Sequence, residues 1–128
     1  RNQIGAIGYV NQSYIKGEIA AATLQNKNGE FVKPSVESGS LALNGISLDE
    51  NLAGTDPNPT AEGAYPIATL TWILAYETGN GRKTEAIKTT LSTMLSDNYQ
   101  EKAPVLGYVP LRGDILQKAR GAVERIGE

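Results

Sequence analysis

Pro66-Ile67-Ala68-Thr69-Leu70-Thr71-Trp72-Ile73-Leu74-Ala75-Tyr76 carries the clearest strand signal in the sequence. Ile67, Thr69, Thr71, Ile73 and Ala75 fall on one face, and Ala68, Leu70, Trp72, Leu74 and Tyr76 on the other. Both faces are apolar or small, the pattern of a central strand covered by helices on both sides. A run of 11 residues exceeds the usual strand of about 5–6. One strand serving two structural bodies is the expectation.

Downstream, Thr78-Gly79-Asn80-Gly81 is a turn feeding a helix expected over Arg82 to Tyr99. Its apolar stripe is Ile87, Leu91, Met94 and Leu95, with Asn98 completing the face. Ala103 to Tyr108 reads as a connector, and Pro110 suits the first position of a second helix, Leu111 to Ile126. Ile115, Ala119, Ala122 and Ile126, flanked by Leu116 and Val123, make its buried stripe; Arg112, Lys118, Glu124 and Arg125 make its wet side.

Upstream, Ile4 to Val10 reads as a buried strand in which Gly5 and Gly8 mark close backbone approach. Asn11 to Lys16 fits a single helical turn stopped by Gly17. Asn28-Gly29 signals a two-residue hairpin that pairs Glu30-Phe31-Val32 with the weakly alternating Ala20–Lys27. Ser35 to Leu43 reads as a short helix interrupted by Gly39. Asn44 to Gly63, rich in Gly, Pro, Asp and Asn, is a long loop of the kind that makes a surface excursion or a crossing between lobes. The chain opens Arg1-Asn2-Gln3 one turn before a strand pattern, which reads as a boundary left by truncation or cleavage of something larger.

The chain has 128 residues with no Cys and no His. Disulfides, Cys or His zinc sites, Cys nucleophiles and His-based triads are therefore excluded. A net charge of −2 argues against a broad nucleic-acid footprint. No run of apolar residues is long enough to span a membrane.

The individual motifs are weak. Thr78 to Thr84 sits where a phosphate loop would, but Arg82 follows Gly81 and position 76 is Tyr, so the required Lys and Gly are absent. Ser38-Gly39-Ser40 offers hydroxyls to an anion, yet is also ordinary loop chemistry. Asp49, Glu50, Asp56 and Glu62 could supply paired carboxylates or calcium ligands; the Asp-x-Asp-x-Asp-Gly spacing is missing, and a solvated acidic loop is the better reading. Tyr9, Tyr65, Trp72, Tyr76 and Tyr108 lack the basic groove of a nucleic-acid stacking platform. Asn11-Gln12-Ser13 is formally a glycosylation sequon in a sequence that otherwise gives no sign of that route.

Three segments in order carry a resemblance. Gly5-Ala6-Ile7-Gly8-Tyr9-Val10 with Tyr14, then Ala64-Tyr65-Pro66-Ile67 running into Thr71-Trp72-Ile73-Leu74, then Tyr108-Val109-Pro110-Leu111 are similar to the carboxy-terminal third of the PstS-type receptors of bacterial phosphate ABC transporters, in wording close to cyanobacterial members. Arg112 stands where the family often has a second Pro. The resemblance implies an α/β class, as part of a two-lobed periplasmic-binding-protein fold with a mixed sheet and flanking helices. Residues 1–70 would belong to the second lobe and 71–128 to the first, with the crossing near 69–73. Thr69, Leu70, Thr71, Trp72 and Ile73 would then form a hinge strand.

The same resemblance implies a solute receptor and not an enzyme. It would need no cofactor or metal, and would capture inorganic phosphate together with an upstream segment. No phosphate ligand is carried by the matched motifs. A membrane permease and its ATPase would be partners, and the location would be the Gram-negative periplasm, with a lipid anchor in other cell types. Two alternatives stand beside it: a receptor for another oxyanion, and a small hydrolase using Asp49, Asp56 or Glu62.

Overall fold

A computed structural model describes residues 5–127; Arg1, read as a boundary, and Ile4, the start of the first expected strand, lie outside them. The elements are a hairpin, β1 (Leu24–Gln25) and β2 (Phe31–Val32), and four helices: α1 (Val36–Asn44), α2 (Thr84–Met94), α3 (Asp97–Lys102) and α4 (Gly113–Glu124). This is an α/β chain whose sheet, among the described residues, is two antiparallel strands in the register Leu24↔Val32 and Gln25↔Phe31. A mixed sheet is not formed within these residues.

The hairpin pairs as expected but turns over three residues, not two. The Asn26 N–H donates to the Glu30 carbonyl at 2.9 Å and Gly29 N–H to the Asn26 carbonyl at 3.0 Å. That leaves Lys27, Asn28 and Gly29 in the loop. Gly29 takes φ +83°, the left-handed last position that such a loop requires.

Helix α1 runs unbroken through Gly39 because its start is well capped. Ser35 Oγ accepts from Ser38 N–H at 3.1 Å, and Ser38 Oγ accepts from Ser35 N–H at 2.9 Å, a reciprocal capping box. Gly39 is a packing residue: a Cβ there would lie 2.7 Å from Val109 Cγ2. Ser38, Gly39, Ala42 and Leu43 form the buried face.

The single helix expected over 82–99 is two. After a turn of 3₁₀ helix at Gly81–Lys83, α2 ends at Met94, and Ser96 adopts extended backbone before α3. The break is satisfied from across the fold. Arg120 of α4 donates to the Leu95 carbonyl at 2.7 Å through one nitrogen and 3.1 Å through another, and pairs with Asp97 at 2.7 Å. Asn98 is consequently exposed and off the stripe.

Helix α4 starts two residues later than expected. Pro110 is buried ahead of it, and Arg112 is the extended N-cap. Leu116, Val123 and Ile126 are buried, while Ile115, Ala119 and Ala122 are only half-buried. Helices α2 and α4 pack together, and Gly127 N–H closes back on the Glu77 carbonyl at 2.7 Å.

The two apolar strands of the sequence behave otherwise. Residues 6–10 and 68–76 form no ladder, helix or turn. Ile7, Tyr9, Leu74 and Tyr76 are largely exposed. An added Cβ at Gly5 or Gly8 would meet nothing within 4 Å, so neither glycine marks a close approach here. Among the described residues no strand pairs with either segment. Asn11 to Lys16 does form the expected turn, as 3₁₀ helix at Gln12–Tyr14, with Gly17 at φ +64°.

Candidate functional site

The feature that singles itself out is the apolar stretch 66–76 and the two devices that hold it. The first device fixes its beginning. Asn26 is buried; its Oδ1 accepts from the N–H groups of Asn28 and Glu30, each at 3.0 Å. Its Nδ2 donates to Glu30 Oε2 at 2.7 Å and to the Ala64 carbonyl at 3.3 Å. Glu30 Oε2 also accepts from Gly63 N–H at 2.9 Å. The Asn26 amide and the Gly63 N–H hold the Glu30 carboxyl below its ordinary range. Asn28 Nδ2 reaches the Thr60 carbonyl at 3.0 Å, and Tyr65 N–H the Ser38 carbonyl at 3.1 Å. Hairpin, loop and α1 are thus stitched together just before Pro66.

The second device grips the middle. Trp72 Nε1 donates to the Leu52 carbonyl at 2.8 Å, across twenty residues of sequence. Of the other expected hinge residues, Thr69 Oγ1 donates to the Leu70 carbonyl at 3.3 Å, and Thr71 and Ile73 are exposed.

The remaining sequence candidates are occupied structurally. Ser38 Oγ donates to the Lys33 carbonyl at 2.8 Å and closes the capping box, so its hydroxyl is committed. Ser40 lines an open groove with Leu43, Asn44 and residues 110–112. Asp49 Oδ1 accepts from Asn51 and Ala53 N–H, and Asp56 Oδ1 from Asn58 N–H; both shape the loop. Among the described residues no three acidic side chains converge as a metal site would need. Thr84 is buried and donates to the Gly81 carbonyl at 2.8 Å, which makes 78–84 a helix entry and not an anion loop. Asn26, Glu30 and Leu52 were not legible as important from sequence. Their roles arise from contacts with residues 63, 64 and 72, which no local pattern announces.

No family model matches the chain. Curated relatives do. A phosphate-binding protein PstS from Methanocaldococcus jannaschii is 31% identical over 95% of this chain. The PstS of Xylella fastidiosa (strain Temecula1) is 31% identical over 89% of it, and that of Haemophilus influenzae 31% over 87%. By sequence, the chain belongs with the PstS phosphate-binding proteins. The chain spans about a third of their length: 35%, 32% and 34% of those three relatives. About two thirds of each of those PstS relatives lies outside the matched region. No helix among the described residues is long and apolar enough to cross a membrane.

Proposed function

We propose that this chain is the carboxy-terminal part of a receptor that captures inorganic phosphate for ABC-type import. The observation that carries the reading is the match to PstS proteins over nearly the whole chain but only a third of theirs. The exposed apolar faces at 6–10 and 67–76 support it, because contiguous exposed apolar surface marks a place where other protein belongs. The absent two thirds of the receptor supply the sheet neighbours.

In this reading residues 1–70 complete one lobe of a two-lobed periplasmic-binding-protein fold and 71–128 the other. Thr69, Leu70, Thr71, Trp72 and Ile73 form one hinge strand. In this reading the phosphate ligands come from the rest of the receptor, and none is carried by the matched motifs. The protein binds and releases; it does not catalyse. It works in the periplasm and delivers its ion to a permease driven by an ATPase.

The test is complementation. This chain alone shows no saturable phosphate binding by calorimetry. Mixed or co-expressed with the remaining two thirds of the receptor, it forms a complex that binds phosphate. A tight phosphate site on this chain alone overturns the reading, as does a reconstituted complex that ignores phosphate.

A further inference from the structure

The long loop holds a turn built with unusual care for an exposed segment. Asp49 Oδ1 accepts from Asn51 N–H at 2.9 Å and from Ala53 N–H at 2.8 Å. Asp49 N–H donates to the Ala53 carbonyl at 2.9 Å, and Leu52 N–H to the Asp49 carbonyl at 3.1 Å. Gly54 lies so close that a Cβ would sit 2.3 Å from the Ser47 carbonyl oxygen. Inside this closed turn Leu52 stands at φ +61°, in the left-handed region that a branched side chain resists. Strain of that kind persists only where surrounding bonds over-determine it, and it invites a functional question.

What the conformation does is visible. It presents the Leu52 carbonyl to the indole N–H of Trp72, the chain's single tryptophan, at 2.8 Å. An indole has one donor and no acceptor, so this bond uses all of its polar capacity. Trp72 is 43% exposed, so the bond lies near water and can open without unfolding the core. Lys118 of α4 touches the same loop at the Leu48 carbonyl, at 3.5 Å. The turn is therefore tied to its own backbone, to the apolar stretch and to a distant helix.

We propose that the turn Asp49–Ala53 is a clip that grips the apolar stretch at Trp72 and brakes its bending at 69–73. The clip stands on the geometry alone; the brake rests on the receptor reading, which makes 69–73 a hinge. Bending there displaces Trp72 from the turn and breaks the bond, while the turn's own bonds keep Leu52 and its carbonyl in place. The clip is thus a reversible catch and not a weld.

Three variants test it. In this chain, W72F removes only the indole donor, and amide exchange at Ala53 speeds up about fivefold, the change in opening equilibrium expected for one net hydrogen bond. D49A dissolves the turn, and acrylamide quenching of Trp72 rises. L52G keeps the carbonyl and removes the strain, and Trp72 stays as protected as in the unaltered chain. Exchange at Gly39 in α1 serves as the folding control. Unchanged Ala53 exchange in W72F, or unchanged quenching in D49A, overturns the clip. In the whole receptor, W72F speeds phosphate release by about the same factor. Unchanged release overturns the brake while the receptor reading stands. A whole protein that binds no phosphate overturns the receptor reading and leaves the clip, measured in the short chain, in place.

Discussion

Val123, in the last turn of α4, is 5% exposed, and Leu74, near the end of the apolar stretch, is 95% exposed. Both are branched aliphatic residues, and Val123, between Arg120 and Glu124-Arg125, has the more polar flanks. The difference is where their partners come from. Helix α4 closes its hydrogen bonds internally and packs against α2 within the described residues. A strand has no internal hydrogen bonds, so 68–76 needs neighbours on both edges and cover on both faces. Neither is supplied within the described residues. Helix α4 finds its neighbours among the described residues; the stretch 68–76 finds no ladder partner there.

The largest effect expected from this contrast is on the strands themselves. On the proposed receptor reading, adding the rest of the receptor should slow amide exchange across 68–76 by about a thousandfold or more, since strand amides in a covered sheet open only with the domain. Exchange within α4 should change far less. Equal protection of both segments in the isolated chain would break the comparison.

Truncating side chains sharpens it next. Leu116→Ala removes a buried leucine from α4 and should cost about 2–5 kcal/mol in urea unfolding. Leu74→Ala, made in the same chain, should stay within about 0.5 kcal/mol. In the complemented receptor the second value should climb toward the first.

Glycines give a smaller, internal version of the same test. Gly107 sits at φ +79°, where a Cβ would lie 2.7 Å from Ser13 Cα. Gly107→Ala therefore strains the backbone and pushes away the 12–14 turn, at a cost of about 1–3 kcal/mol. Gly121 lies inside α4 with open space around it. There Ala should stabilise by about 0.5–1 kcal/mol, because a glycine in a helix interior gives up more freedom on folding. A thermal melt of both variants checks the two signs together.

How much could be read beforehand follows from the same division. Helix α1 was legible in its existence, and the hairpin in its pairing, because the Pro34–Ser35 start and the Asn28-Gly29 turn act over a few residues. The break between α2 and α3 was not, because the groups that satisfy it, on Arg120 and Asp97, come together only in the fold. Nor was the start of α4 at Gly113, since Pro110 is drawn into the core ahead of it. The apolar character of Ile4–Val10 and Pro66–Tyr76 was plain, but burial was inferred from it on the assumption of a complete sheet. Of the candidate site, Trp72 was visible as a residue. Its acceptor was not, because nothing local marks the Leu52 carbonyl.

The smallest effect concerns the clasp that leads into the apolar stretch. Glu30 Oε2 accepts from Asn26 Nδ2 at 2.7 Å and from Gly63 N–H at 2.9 Å, and the carboxyl is held below its ordinary value of 4.5, first by Asn26 and then by Gly63. A carboxylate whose folded pKa is lowered stabilises the fold above its unfolded value and loses that contribution as pH falls through the lowered one. The clasp is therefore intact at neutral pH and slackens only in acid below 4.5. The Gly63 amide resonance should titrate with a midpoint under that value and stop titrating there in Glu30→Gln. A midpoint at or above the ordinary value would mean that the carboxylate does not hold the loop. The start of 66–76 would then depend on the remaining bonds, from Asn26 to the Ala64 carbonyl and from Tyr65 to the Ser38 carbonyl. That outcome would narrow the comparison, because even the entry to the strand region would lack a charged anchor of its own.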